Sequence, residues 1–411
     1  MNHKGIHRAW VILVAMTMIH AGVMGVLFNC CGIVFSAIRN ELGFRAGDLS
    51  VYYMLRSLTT ALMVGFTSKL YFSSNAKVVM TVLGTLYVGS FAAMAFFNSL
   101  WQWYIAAVIC GIGMSCNMVV IPATLNNWFK VRNGFVIGLT MSSSGIIGAI
   151  FSPICSSLIT MFGWRQTVLI MAAIGVILII VPAALLLVSE PEKVGLKPYG
   201  YEKAAASASD KAETLRETPP HFIFLLTMIA AIGPGSLIQF NAQLPIFAES
   251  IGYTMAVGAM FTSLSMVGNL AGKLGLGALA DRIGIYKSGQ IFFLAIGLSM
   301  VGMLLGQSQL MILNVSTLLY GAVYCITTTM PALLYLDLYG SKEYRSRVSR
   351  MQAISGGISA VLSIVFPYIY DFTGSFNIVF VYGAISGFLA FAIFVYLMRY
   401  TLRRDAQASA G

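Results

Sequence analysis

Charge is scarce in this sequence. Only 9% of its 411 residues are Asp, Glu, Lys or Arg, where a soluble domain carries roughly 25%, and the shortage excludes a soluble globular protein. Carboxylates are rarest where burial is deepest: Glu249, Asp337 and Asp371 lie near the ends of apolar runs, and none falls in the middle of one. A site built to hold a cation on a buried acid is thereby excluded. The six cysteines, Cys30, Cys31, Cys110, Cys116, Cys155 and Cys325, stand in apolar runs without metal-ligand spacing, which excludes a disulfide framework and leaves them as small packing residues. No nucleophile–base pair and no cluster of ligating side chains is present, so the sequence argues against an enzyme and implies no cofactor and no metal.

Apolar length is what the chain has in abundance. It is 58% hydrophobic with a mean hydropathy of +0.84, and about twelve runs reach the ~20 residues that span a bilayer. Six of them fill residues 1–188, a charged stretch occupies 189–219, six more fill 220–400, and 401–411 form a tail. The fold class is therefore an all-α integral membrane protein of about twelve transmembrane helices in two six-helix pseudo-repeats. The first run is too long for a signal peptide and lacks a small-x-small cleavage site, so it is expected to be retained. The net charge of +11 is explained by topology rather than by nucleic acid. Placing both termini and the 189–219 stretch in the cytoplasm leaves only Arg39, Arg45 and Arg165 outside, the one-sided bias that sets orientation in a plasma membrane. Around Ala204-Ala205-Ala206-Ser207-Ala208-Ser209 the 189–219 stretch reads as a solvated, partly disordered linker.

The halves echo one another. Glu41-Leu42-Gly43-Phe44 recurs as Ser250-Ile251-Gly252-Tyr253 and Pro122-Ala123 as Pro331-Ala332, at one offset. Gly163-Trp164-Arg165 recurs as Gly374-Ser375-Phe376 at nearly the same spacing. Duplication of this kind is the architecture in which a binding site sits between halves at mid-membrane.

Within the spans the deep ionisable groups apart from tyrosines are Lys273, His20 and Arg56. An ammonium at mid-bilayer costs at least ~2.5 kcal/mol, so an intramembrane cation is read as functional with a partner to be found. Uncompensated cations invite an anion, and the expected ligand is a small carboxylate. Asn269 shares the helix face of Lys273 one turn earlier, and Asn117, Asn241, Gln239 and Tyr324 fall on spans expected to line a cavity. Plainer readings stand beside these: Lys273 and Arg56 can snorkel toward the interface, His20 can be a hydrogen-bonded structural residue, and each amide can serve an interhelical bond worth only ~0.6 kcal/mol. The span before Leu237-Ile238-Gln239 is expected to break at Gly233-Pro234-Gly235, as interrupted helices do where they line a cavity. A buried lysine gives up its proton more readily and a histidine titrates near neutrality, which leaves proton coupling open. Gly277, Asp281, Arg282 and Gly284, followed by Lys287, read as a hinged cytoplasmic latch at a membrane exit.

That G-x-x-x-D-R-x-G-x-x-K spacing resembles the loop motif of the major facilitator superfamily of transporters. Gly111-Ile112-Gly113-Met114-Ser115-Cys116-Asn117, Trp128-Phe129-Lys130-Val131-Arg132-Asn133-Gly134 and Gly163-Trp164-Arg165 resemble its monocarboxylate transporter and oxalate/formate antiporter branch, and Tyr320-Gly321 with Pro331-Ala332-Leu333-Leu334 extend the likeness into the second half. The resemblance implies a major facilitator fold and secondary active transport of a small organic anion by alternating access, as a proton symport or an anion exchange (antiport), in a monomeric functional unit. It puts the family's basic substrate residue, usually arginine, on Lys273, and neighbouring family positions on Asn269 and Asn117. The chain departs from the pattern in having no deep basic residue on span eleven, which argues against a dicarboxylate held at both ends. Two other readings stay open: an exporter of a neutral or amphipathic solute with Lys273 structural, and a transporter-like sensor, for which the 189–219 stretch offers no aromatic-rich docking segment.

Overall fold

The computed structural model describes residues 7–115, 117–201 and 219–410. Cys116 and the run Ala204-Ala205-Ala206-Ser207-Ala208-Ser209 lie outside the described residues. Inside a bilayer a backbone has no water to bond, so apolar runs of this length wind as helices. Among the described residues ten stretches are long and apolar enough to span. One of them, Gly134–Leu185, breaks at Gly163, whose φ of 78° and ψ of 163° only glycine adopts without strain. Ala46–Ser73 adds another helix of 28 residues. Dividing the first and adding the second brings ten to the twelve spans expected.

The chain divides into two compact units, Met1–Ala212 and Glu213–Gly411. The first contains α1 (Arg8–Leu42), α2 (Ala46–Ser73), α3 (Ala76–Phe96), α4 (Leu100–Trp128), α5 (134–162) and α6 (164–185). The second contains α7 (His221–Ser250), α8 (Met255–Ile283), α9 (Ile285–Leu305), α10 (Leu310–Thr327, resuming over 329–339), α11 (Ser346–Thr373) and α12 (Asn377–Arg404).

Several helices change winding partway, α3 to 3₁₀ over Met94–Phe96 and α6 to π over Val176–Ile180 among them, and two further changes bear on the buried polar groups. In α1 the stretch Ala21–Phe28 is a π-helix, closed by Asn29 N–H donating to Met24 O at 3.2 Å. Gly22 and Gly25 lie on this stretch with no room for a side chain: a Cβ on Gly22 would sit 2.7 Å from Ile179 of α6, and one on Gly25 2.8 Å from Ile147 of α5. In α7 the α-helix His221–Ser236 runs through the Gly233-Pro234-Gly235 sequence and tightens to a 3₁₀ helix only afterwards, over Leu237–Gln243. The expected break is thus displaced past the proline, and the buried hydroxyl of Tyr320 holds the tightened stretch by donating to Leu237 O at 2.6 Å.

The segment after α6 departs from the expected solvated linker as far as it is described. Val194 and its neighbours form a 3₁₀ turn over Pro191–Val194. Tyr199 then pairs both ways with the end of α4, its N–H donating to Trp128 O at 2.8 Å and its carbonyl accepting from Lys130 N–H at 3.0 Å. The Tyr199 ring packs against Trp10, His7 and Phe129, and Trp128 Nε1 donates to Val188 O at 2.8 Å. Composition alone hid this docking, because it rests on one aromatic ring and on backbone bonds, joined by the buried Ser189 and by Lys193 Nζ donating to Phe72 O at 3.2 Å.

Candidate functional site

In the second unit the site is built where α8 crosses α10. Gly268 and Gly321 leave no space between the helices: a Cβ on Gly268 would overlap Leu318 O, and one on Gly321 would overlap Ser265 O and lie 2.6 Å from Asn269 N. Small residues permit this backbone approach, which stabilises helix pairs in lipid by close packing. Gly272 continues the crossing, a Cβ there coming 3.2 Å from Ala322 Cα. Lys273 follows directly. It is half-buried and ten residues before Ile283, about 15 Å from that end of α8. Among the described residues Lys273 makes no hydrogen bond and no ion pair. Its electrostatic neighbour is the Cys325 thiol of α10, which is occupied in donating to Ala322 O at 2.9 Å.

One turn before the lysine, Asn269 is 2% exposed. Its amide reaches only Met266 Sδ, at 3.9 Å, and its Oδ1 is enclosed without a donor. A turn further back the hydroxyl of Ser265 donates to Asn241 Oδ1 at 2.6 Å, fixing the 3₁₀ stretch of α7 against α8. The structure therefore joins Asn241 to the Asn269 face through Ser265, a residue the sequence reading missed although it sits four positions before Asn269. Tyr324 is buried beside Cys325 on α10 and Gln239 is half-buried on the 3₁₀ stretch; no hydrogen bond brings either to Lys273 among the described residues.

In the first unit His20 and Asn117 come together. His20 closes the α-helical part of α1, just before the π-wound turn, and Asn117 Nδ2 lies 3.4 Å from its Nδ1. Both are buried, and Asn117 Oδ1 is enclosed without a donor. The histidine that showed no partner in the sequence thus has one 97 positions away. No hydrogen bond or ion pair links Arg56 to this pair among the described residues.

Arg56 is 3% exposed, ten residues into α2 and so about 15 Å from its start. Its guanidinium is enclosed within the first unit rather than extended to the surface. Its guanidinium carbon lies 4.3 Å from the Phe28 ring centre, 5.1 Å from Tyr53 and 5.4 Å from Tyr52. Tyr52 and Tyr53, four and three positions before the arginine, were readable as its face-mates. Phe28 was not, because the π-winding of Ala21–Phe28 shifts it out of the 3.6-residue register.

Gly277, Asp281, Arg282 and Gly284 do not form the looped latch that their spacing suggests. Gly277, Asp281 and Arg282 are all within α8, and the chain turns at Gly284 alone, with φ 82° and ψ 158°, before α9 begins. Asp281 and Arg282 are exposed and form no ion pair among the described residues.

Comparison with known proteins agrees with this architecture. The chain is 23% identical over 373 residues to the probable sulfoacetate transporter SauU of Cupriavidus necator, covering 86% of each. It is 20% identical to the oxalate:formate antiporter of Oxalobacter formigenes, over 95% of this chain and 91% of that one. The crystal structure of the nucleoside transporter NupG superposes with a TM-score of 0.70 at 14% identity, over 95% of this chain and 99% of that one, and shares the fold. The family model of the Major Facilitator Superfamily matches residues 13–364, most of the chain, and this multi-pass integral membrane protein therefore belongs to that superfamily of transporters.

Proposed function

We propose that the protein is a secondary transporter of a small organic anion working by alternating access, with Lys273 as the counter-charge of its cargo. The observation that carries this reading is the isolation of Lys273: a half-buried cation inside α8 with no carboxylate paired to it among the described residues. Leaving an ammonium unpaired there costs at least ~2.5 kcal/mol, and a carboxylate or sulfonate removes that cost when it binds. Asn269 offers its amide beside the lysine, and the glycine-lined crossing with α10 brings that helix's backbone close. The relatives named for sulfoacetate, oxalate and formate support an anionic cargo.

The cargo charge moves either with a proton or against a second anion. His20 is the residue we assign to the first. In the neutral tautomer that carries its proton on Nε2, Nδ1 accepts from Asn117 Nδ2; when protonated it can donate to Asn117 Oδ1 after the amide turns over, and that oxygen is the one left without a donor. A proton carried on His20 predicts symport, while exchange needs no change of charge there. Both termini on the cytoplasmic side complete the proposed arrangement, following the distribution of Lys and Arg.

The test is thermal unfolding of the purified protein with acetate, oxalate and sulfoacetate at two pH values, since a ligand that binds the folded state raises its melting temperature. Lys273→Ala is expected to weaken the response of the best anion about tenfold or more, the value of one charge-assisted bond. His20→Gln is expected to remove the pH dependence while leaving anion binding. Shifts unaltered in Lys273→Ala overturn the role given to Lys273, and shifts from no anion at all overturn the anionic cargo and favour a neutral one.

A further inference from the structure

We propose that Arg56 forms a second anion site, within the first unit, that takes the carboxylate or sulfonate group of an organic acid. The proposal deepens the reading of the chain as an anion carrier and rests on it for the class of ligand, but its geometry is independent of Lys273.

The site holds donors without acceptors. Arg56 Nε is enclosed and has no hydrogen-bond partner. The Tyr53 hydroxyl beside it is likewise enclosed, and the polar group it faces is the Cys31 thiol, a weak acceptor. The Tyr52 hydroxyl is already spent, donating to Cys110 Sγ at 3.2 Å. No ion pair or hydrogen bond to Arg56 exists among the described residues. The three rings around the guanidinium supply cation–π attraction, about 2 kcal/mol where water is excluded, yet the effective penalty for burying an ion is several kcal/mol. Rings also cannot accept the in-plane N–H bonds that a guanidinium directs outward in a fork. Two enclosed donors and one uncancelled positive charge are satisfied together by a group that is anionic and only accepts, which describes a carboxylate or sulfonate.

The cage is also held in place. A Cβ on Gly111 of α4 would lie 2.6 Å from Arg56 O, so α2 and α4 touch backbone to backbone behind the arginine. Phe28 comes from the π-wound part of α1, a form of winding found often at functional sites. A merely structural arginine would be expected to spend its fork on carbonyls or a carboxylate; this one is surrounded by rings and thiols.

The experiment is thermal unfolding of the full-length protein against sodium sulfoacetate and sodium acetate, with sodium chloride at matched ionic strength, in Lys273→Ala and in the same variant carrying Arg56→Met. Lys273→Ala alone is expected to keep a stabilising response to sulfoacetate at about tenfold higher concentration. Adding Arg56→Met is expected to abolish that response while the unliganded melting temperature holds or rises, because an apolar side chain replaces an unpaired charge. Tyr53→Phe, which keeps the ring and loses one donor, is expected to weaken the response several-fold and serves if the methionine variant fails to fold. An unchanged response in folded Arg56→Met or in Tyr53→Phe overturns the proposal, as does a response that sodium chloride reproduces. If instead Arg56→Met alone abolishes binding and Lys273→Ala alone changes nothing, the Lys273 reading fails and this one stands.

Discussion

The two units close the same turn with opposite chemistry. In the first, Gly163-Trp164-Arg165 is tied by polar bonds: Trp164 Nε1 donates to Glu41 Oε2 at 2.8 Å, while Arg165 donates to Ala95 O at 3.0 Å, Phe97 O at 3.2 Å and Asn98 Oδ1 at 2.8 Å and lies 3.5 Å from Glu41 Oε1. In the second, Gly374-Ser375-Phe376 has neither the indole nor the guanidinium. Phe376 stacks on Tyr370 at 4.7 Å and 8° and meets Phe240 and Phe247 edge-on. Both turns keep their glycine at positive φ. Their ψ values differ, 163° at Gly163 against 7° at Gly374, and the fastening differs with them: a directional, partly solvated network on one unit and a non-directional apolar cluster on the other. The buried cations differ in the same sense: Arg56 is enclosed by rings, whereas Lys273 rides half-buried on a helix that meets α10 through glycines.

If the apolar fastening bears more of its unit than the polar one does, the sharpest contrast comes from removing each. Phe376→Ala is expected to lower stability by about 3 kcal/mol or more, since the ring is 2% exposed and its loss leaves a cavity among three aromatics. Arg165→Ala is expected to cost about 2 kcal/mol: its bonds to backbone carbonyls count, while the ion pair to Glu41, with side chains 36% and 53% exposed, adds little. Salt should shift the second loss and leave the first unchanged. Thermal unfolding of the two variants at low and high ionic strength checks both, and equal losses with equal salt dependence would dissolve the distinction.

How far these differences were legible in the sequence varied by residue. Apolar run length exposed the spans, and the echo of Gly43 in Gly252 and of Pro122 in Pro331 exposed the duplication, because both signals are local in the chain. Lys273 stood out for the same reason: a single charge in an uncharged run needs no tertiary knowledge. Arg56 was legible as a charge within its span, but its enclosure was not, because that depends on which rings of other helices pack against it. Phe28 and Ser265 were invisible as neighbours of Arg56 and Asn241, one because π-winding shifts the register and the other because its partner lies across a helix crossing. The attachment of Tyr199 to Trp128 rests on backbone bonds, which no side-chain pattern records.

The subtlest contrast lies in the matching glycines Gly65 of α2 and Gly277 of α8. In the sequence Gly277 heads the D-R-x-G motif and reads as a hinge, while at the matching place in the first unit Lys69 stands instead of the acid. The structure makes the two glycines equivalent: each is inside a helix, and a Cβ on either would meet nothing within 4 Å. Glycine in a helix interior is less stable than alanine by about 0.5–1 kcal/mol, largely through the freedom it keeps when unfolded. Gly65→Ala and Gly277→Ala are therefore expected to raise the melting temperature slightly and by similar amounts, with transport unchanged in both. Should Gly277→Ala alone slow the uptake of anion into liposomes while stabilising the protein, α8 must bend at that residue during the cycle, and the hinge suggested by the motif would belong to a conformation other than this one.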